Sequence, residues 1–265
     1  MLKIVTVATH NDGYLPALKS ICEKNKCNLE ILGFGEKWGG WDWRTQKIID
    51  YLKKCNVSDI VMLIDGFDVL VLSSPEEILN KFKKMHCNIL FSCSHLSRGQ
   101  PYNNSFIYKN ISFPSVKKYF KSNKNFILNA GTIIGYSKHL LQLYLHLQKK
   151  QKITNILDDQ ILLNSMDLSF LKYNIDYDST IFWIWEINQI IDYGNILFRN
   201  ETYSNNSYIK YKDNRIIFLN GNKPCVIHGI NNRNMSKICE KNNVYLLNYK
   251  PKKIQQKDIR DTINN

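Results

Sequence analysis

Ile60-Val61-Met62-Leu63-Ile64, Asp65-Gly66-Phe67-Asp68 and Val69-Leu70-Val71-Leu72 follow one another without a break, and this stretch decides the reading of the chain. An uninterrupted apolar run marks a strand buried on both faces, as in a parallel sheet. The run stops on two carboxylates three residues apart and then resumes. Ligands of open α/β sheets gather at the carboxyl ends of such strands. Two acids on a tight turn, with a glycine between them to relieve the bend, can converge on one hard cation. A divalent ion held by one or two carboxylates and completed by phosphate oxygens suits a nucleotide substrate. The alternative is a turn whose acids cap neighbouring amides. Placement directly after a buried strand favours the metal–diphosphate reading.

Outward from this point, strand and helix signals alternate through the first half, the pattern of a parallel α/β sheet. A strand at Lys3–Ala8 precedes a helix near Asp12–Lys24 with Leu15, Leu18 and Ile21/Cys22 on one face. A strand at Leu29–Leu32, a loop rich in Gly and Trp and a helix at Thr45–Lys54 follow. Ser74-Pro75-Glu76-Glu77 starts the next helix, with Ser as N-cap, Pro in the first turn and Glu three residues on. A fourth strand is expected at Asn88–Ser92.

Residues 94–125 interrupt the rhythm as a long excursion rich in Ser, Asn, Tyr and Phe. Loops of that length are usually functional or contact another chain. Phe126–Tyr136 reads as a strand pair centred on Asn129-Ala130-Gly131. A helix capped by Ser137, a second helix at Ile156–Met166 and short strands near Lys172–Asp176, Ile181–Trp185, Arg215–Leu219 and Cys225–Gly229 complete the order. The tail from Lys250 is polar and lysine-rich.

The 265 residues, 44% of them hydrophobic and 12% aromatic, describe a globular chain with room for one large core. No run approaches the roughly 18–20 apolar residues of a membrane helix. Met1 leads straight into a strand, so the chain as written is expected to stay in the cytoplasm, with no signal peptide and no membrane span. Seven cysteines, odd in number and in no zinc spacing, read as reduced thiols. The net charge of +13 comes from scattered lysines without an Arg-rich stripe or a nucleic-acid module, so no nucleic-acid partner is expected.

Three further sets of residues could carry chemistry. His228 closes the apolar run Cys225-Val226-Ile227; it is either a structural strand-end histidine or a ligand for a manganese-like ion beside carboxylates. Asp158-Asp159-Gln160 opens an apolar helix, where acids favour the macrodipole. The same pair could instead grip sugar hydroxyls or stabilise positive charge at an anomeric carbon. Trp38, Trp41 and Trp43 flank Gly39-Gly40 in a loop, and must cover either a sugar or nucleoside face or a partner subunit.

Seven segments occur in order: Thr6-Val7-Ala8-Thr9, Leu32-Gly33-Phe34-Gly35-Glu36-Lys37-Trp38, Gln46-Lys47, Asp65-Gly66-Phe67-Asp68, Asn129-Ala130-Gly131-Thr132-Ile133-Ile134-Gly135-Tyr136, Asp158-Asp159-Gln160 and Val226-Ile227-His228-Gly229. Together they resemble the glycosyltransferase module of the procollagen lysyl hydroxylase/glucosyltransferase family, from the first strand to about residue 240. The resemblance implies a GT-A fold with a Rossmann-like, mostly parallel sheet flanked by helices, formed by residues 1–249 as a single domain ahead of a 250–265 tail. It implies a retaining transfer of glucose from UDP-glucose to galactosyl-hydroxylysine of collagen-like protein, dependent on Mn²⁺. A hydroxylysine galactosyltransferase or another UDP-sugar glycosyltransferase is the rival within the class, and an inactive nucleotide-sugar or collagen-binding subunit the rival outside it.

Carried over by residue, the resemblance gives Asp65, Asp68 and His228 to the metal. It sets Phe67 against the uracil and Thr9 in the uridine pocket, and assigns Trp38 and Lys47 to the donor pocket, with Lys47 near the phosphates. Asp158 and Asp159 fall at the end of the family's acidic stretch beside the transferred sugar. The chain departs from the family in four places. The loop after Trp38 is shorter, Ile230-Asn231-Asn232 stands where the family has Asn-Gly-Pro, the acidic stretch is shorter, and an aromatic motif is missing around Ser94–Gln100. The hydroxylase half is absent, so no iron or 2-oxoglutarate chemistry is expected. Relatives in the family act in the endoplasmic reticulum lumen and are dimeric, and a homodimer using the 94–125 segment or the tryptophans is expected here.

Overall fold

A computed structural model describes residues 1–95, 126–185, 209–212, 215–218, 221–230 and 234–244. The interior of the 94–125 excursion, residues Asn231 and Asn232, and the 250–265 tail lie outside the described residues.

Strand β1 (Leu2–Val7) lies between β2 (Leu29–Leu32) and β3 (Ile60–Asp65), parallel to both. Helix α1 (Leu15–Lys24) joins β1 to β2, α2 (Trp41–Leu52) joins β2 to β3, and α3 (Pro75–Lys84) leads from the short β4 (Val69–Val71) to β5 (Ile89–His95). Strand β6 (Phe126–Tyr136), helices α4 (Ser137–Thr154) and α5 (Asp159–Ser165), and strand β7 (Tyr173–Ile175) follow. The central sheet has six strands in the order β2-β1-β3-β6-β5-β7.

The expectation of a mostly parallel sheet holds, with one exception: β6 is antiparallel to both β3 and β5. Phe126–Tyr136 is one strand of 11 residues, not the expected pair. Its pairing with β5 jumps from Phe91↔Ile133 to Ser92↔Asn129, so Ala130, Gly131 and Thr132 form a bulge. The Asn-Ala-Gly interruption that suggests a turn is therefore a swelling within a strand, a device that re-aims side chains near functional sites.

Alternation along the central strands builds a core on each face. From β3, Ile60, Met62 and Ile64 join Leu15, Leu18 and Cys22 of α1 and Ile78 and Phe82 of α3. Val61 and Leu63 point the other way, to Ile48, Ile49 and Leu52 of α2 and Leu140, Leu143, Tyr144 and Leu147 of α4. Each such side chain contributes about 1.5–3 kcal/mol by leaving water. This double burial explains why β3 reads as one continuous apolar run.

The α3 start follows the sequence reading: Ser74 Oγ accepts from the Glu77 N–H at 3.3 Å, Pro75 opens the helix and Glu76 and Glu77 occupy the first turn. Helix α2 begins at Trp41, four residues earlier than expected, so Trp41 and Trp43 belong to a helix and only Trp38 to the loop. Helix α5 is shorter than the expected Ile156–Met166, because Asp158 caps it from outside.

A second sheet sits beside the first. Strands β8 (Phe182–Ile184) and β11 (Val226–His228) run parallel, and β4 is antiparallel to β11. Strands β9 (Ile209–Lys212) and β10 (Arg215–Phe218) form a hairpin-like pair, and α6 (Ser236–Lys241) packs Ile238 and Cys239 against Ile227 and Trp183. All seven cysteines are free thiols. No helix among the described residues is long and apolar enough to cross a membrane.

Candidate active site

Asp65 is the last residue of β3, at the carboxyl edge of the central sheet. The turn that follows is held in place by its backbone. Tyr14 N–H donates to Phe67 O at 2.8 Å, and Gly13 passes so close, at φ +52°, that a Cβ there would lie 2.4 Å from that oxygen. Only glycine fits this approach.

The second sheet brings the histidine in. Antiparallel pairing of β11 with β4 sets His228 opposite Val69, the residue after Asp68, and Gly229 N–H donates to Asp68 O at 2.8 Å. Side chains far apart in the sequence thus meet by strand register. His228 Nε2 lies 3.3 Å from Asp68 Oδ1 and 3.8 Å from Asp65 Oδ2, and the three ligand-type atoms lie within 4.8 Å of one another. Burial pushes the His228 imidazole down, but Asp68 and Asp65 outweigh it and the net displacement is upward.

The β6 bulge forms the adjoining wall. A Cβ on Gly131 would lie 2.4 Å from Asp65 Oδ2 and 2.4 Å from His228 Cε1, so the strand gives up a side chain where the acids and the histidine converge. Ser92 Oγ, 2.7 Å from Thr132 O and 2.6 Å from Thr132 Oγ1, ties the bulge to β5. Asn129 Oδ1 accepts from Gly131 N–H at 2.9 Å and contacts His228 Nδ1 at 3.1 Å. Helix α5 is fixed to the same strand: Asn164 exchanges two hydrogen bonds with the Leu128 backbone, and Gln160 Oε1 accepts from Ala130 N–H.

This anchoring separates the two neighbouring acids. Asp158 Oδ1 accepts from Ile161 N–H at 3.0 Å as the N-cap of α5. Asp159 points inward and pairs with Arg44 Nη1, while Arg44 Nη2 reaches Asp65 Oδ1 at 2.7 Å. Arg44 and Asp159 side chains are each 8% exposed, so one buried cation joins the first acid of the turn to the second acid of the pair. Burial pulls the guanidinium down, but Asp159 and Asp65 more than offset this and its affinity for the proton rises. Burial pushes Asp159 up and Arg44 pulls it back, with a net upward displacement.

The remaining sequence candidates line the neighbourhood of β1 and α2. Thr9 Oγ1 is 2.8 Å from His10 Nδ1, and the His10 ring meets Phe67 at 5.4 Å. Trp38 packs edge-on against Trp41 at 5.8 Å and Trp43 at 5.4 Å. Trp41 lies over Arg44 at 5.8 Å, Lys47 Nζ sits over Trp43 at 5.3 Å, and Lys47 pairs with Glu36 at 2.6 Å. Trp38 and Trp41 are 46% and 41% exposed, an unusual openness for such side chains.

Sequence reasoning missed Arg44. Its signal was available: Arg44, Ile48 and Leu52 recur at helical spacing, so a charged residue occupies the buried face of α2. A cation in that register needs buried partners.

The architecture is a GT-A fold. A glycosyltransferase involved in the glycosylation of the major capsid of PBCV-1 shares the fold, with TM-score 0.50 and 11% identity over 92% of this chain and 99% of that one. More narrowly, the chain belongs to the PLOD GT domain family, whose model matches residues 1–258. It is 28% identical over 199 residues to the human multifunctional procollagen lysine hydroxylase and glycosyltransferase LH3, covering 68% of this chain and 24% of that protein. A Caenorhabditis elegans multifunctional procollagen lysine hydroxylase and glycosyltransferase is 25% identical over 242 residues, covering 86% of this chain and 31% of its own length. The chain thus spans about a quarter to a third of the length of these curated relatives.

Proposed function

We propose that the chain is a retaining glucosyltransferase that moves glucose from UDP-glucose to galactosyl-hydroxylysine of collagen-like protein with Mn²⁺ as cofactor. The observation that carries this reading is the convergence of Asp65, Asp68 and His228, with their ligand atoms within 4.8 Å of one another at the carboxyl edge of the sheet. Two carboxylates and one imidazole suit a manganese-like ion. Gly131, where a Cβ would press on both Asp65 and His228, leaves the room such an ion needs. Asp65, Asp68 and His228 would hold the ion, and bound there it would neutralise charge on the leaving diphosphate.

The protein's own groups supply the rest. Phe67 and Thr9 take the uridine, and Trp38 covers the donor. Lys47, paired with Glu36, would turn toward phosphate. The bond between glucose C1 and the diphosphate oxygen breaks, and UDP leaves with the electron pair. The acceptor hydroxyl attacks from the leaving-group face and passes its proton to the departing diphosphate oxygen, so configuration is retained. Asp159 stabilises the oxocarbenium-like centre, held for that task by Arg44, while Asp158 keeps the helix start that aims it. The exposed Trp38 and Trp41 also support a homodimer, which light scattering at micromolar concentration tests.

A donor-by-acceptor assay tests the whole reading. UDP-glucose should be used on galactosyl-hydroxylysine peptides. Turnover confined to UDP-galactose and free hydroxylysine would make the chain a galactosyltransferase. Binding of UDP-sugar without transfer or hydrolysis would make it a binding subunit.

A further inference from the structure

The Asn129-Ala130-Gly131 segment stands out in the sequence, yet no role has been given to its asparagine. Asn129 is 2% exposed and its Oδ1 has two neighbours, Gly131 N at 2.9 Å and His228 Nδ1 at 3.1 Å. A backbone N–H can only donate, so the carboxamide atom facing it is the oxygen and not the nitrogen. That oxygen carries no proton, so His228 Nδ1 is the donor across the 3.1 Å contact. The neutral imidazole then keeps its lone pair on Nε2, the nitrogen that faces Asp68 and Asp65. The opposite tautomer would set the Nδ1 lone pair against the Asn129 oxygen with nothing between them, whereas the Nε2 lone pair faces Asp68 Oδ1 at 3.3 Å on the side where a cation would lie between the two.

We propose that Asn129 is a positioning residue for the cation site: pinned by the Gly131 N–H, its oxygen fixes the His228 tautomer and aims the Nε2 lone pair between the two aspartates. The inference rests on the metal reading of Asp65, Asp68 and His228. It adds the outer partner that orients a ligating histidine, a kind of residue whose loss typically weakens metal affinity by about 10–100-fold.

Nitrogen-15 NMR of the imidazole in metal-free protein, at a pH where the ring is neutral, tests the tautomer without any metal. The Nδ1–H signature is expected for wild type and for Asn129→Asp, which keeps an acceptor oxygen for both donors. Asn129→Ala should lose the preference and bind Mn²⁺, titrated alone by electron paramagnetic resonance, about 10–100-fold more weakly. Asn129→Asp should recover most of that loss, and circular dichroism checks that each variant is folded. A wild-type protein with the proton on Nε2 overturns the proposal even if no variant folds. So does a folded Asn129→Ala protein with unchanged tautomer and unchanged Mn²⁺ affinity. A wild-type protein with the Nδ1–H signature that binds no Mn²⁺ overturns the metal reading instead, and the positioning role with it.

Discussion

Arg44 Nη2 reaches Asp65 Oδ1 across 2.7 Å, joining the first turn of α2 to the end of β3, and its other nitrogen holds Asp159. Removing one partner of a buried ion pair typically costs about 3–5 kcal/mol, because the other charge is left unpaired. We predict that Arg44→Ala loses about that much stability in urea unfolding. Arg44→Met combined with Asp159→Leu should restore most of the stability and leave transfer undetectable. Transfer that survives in the double variant would reduce the pair to a structural strut.

The acidic pair should divide by role. Asn caps a helix about as well as Asp, so Asp158→Asn should change stability by a few tenths of a kcal/mol and leave turnover close to normal. Asp159→Asn should lower kcat far more than it weakens UDP binding, as expected for an interaction made mainly in the transition state. Steady-state kinetics with calorimetric UDP titration checks both, and equal effects at the two positions would contradict the division.

The aspartate turn gives a third prediction. Asp65→Ala and Asp68→Ala should each abolish transfer and Mn²⁺ binding while keeping a cooperative melt, since their side chains are 37% and 19% exposed and neither belongs to the apolar core. Chelator treatment of the wild type should reproduce the loss, and Mn²⁺ should reverse it. Full activity after exhaustive chelation would rule out a metal role.

Gly131→Ala should act as a plug. The added Cβ would come within 2.4 Å of atoms of both Asp65 and His228, so one of them must move. Mn²⁺ affinity is predicted to fall at least tenfold, about 1.4 kcal/mol, with a lowered but still cooperative melt because a packed side chain must shift. An unaltered affinity would mean that the cation lies elsewhere.

Acid stability has a source away from the site. Burial pushes the Glu77 carboxyl up, but Arg215 and Lys81 outweigh it and hold it at about 2, against an ordinary 4.5. A depressed acid stabilises the fold above its unfolded value, and that contribution fades as pH falls from 4.5 through about 2. The Glu77 side chain is 35% exposed, so solvent screening limits the effect to about 1 kcal/mol. Glu77→Gln should therefore be less stable than wild type near neutrality, with the difference shrinking across that window in urea titrations.

Much of this architecture was legible beforehand, for identifiable reasons. Strands buried on both faces and a helix start with Ser, Pro and Glu in place are local signals, and β1, β3 and α3 carry them. The β6 bulge was not legible, because Asn-Ala-Gly has the composition of a turn and only pairing to both β3 and β5 keeps it in a strand. Asp158 and Asp159 are chemically identical neighbours, told apart by the rotation of about 100° per residue once α5 begins. Arg44 was hidden because a charge on a helix reads as solvated until the apolar positions around it are seen to share its face.

The meeting of His228 with Asp68 through the β4–β11 register has a consequence for how the protein is made. The aspartate turn is synthesised well before the histidine, so the Asp65–Asp68–His228 cluster is the product of a long-range closure. Contacts of that kind form slowly, because chain entropy must be surrendered before they are rewarded. A bound ion would act as a clasp on β11, tying assembly of the second sheet to the supply of metal while the chain is still finding its shape.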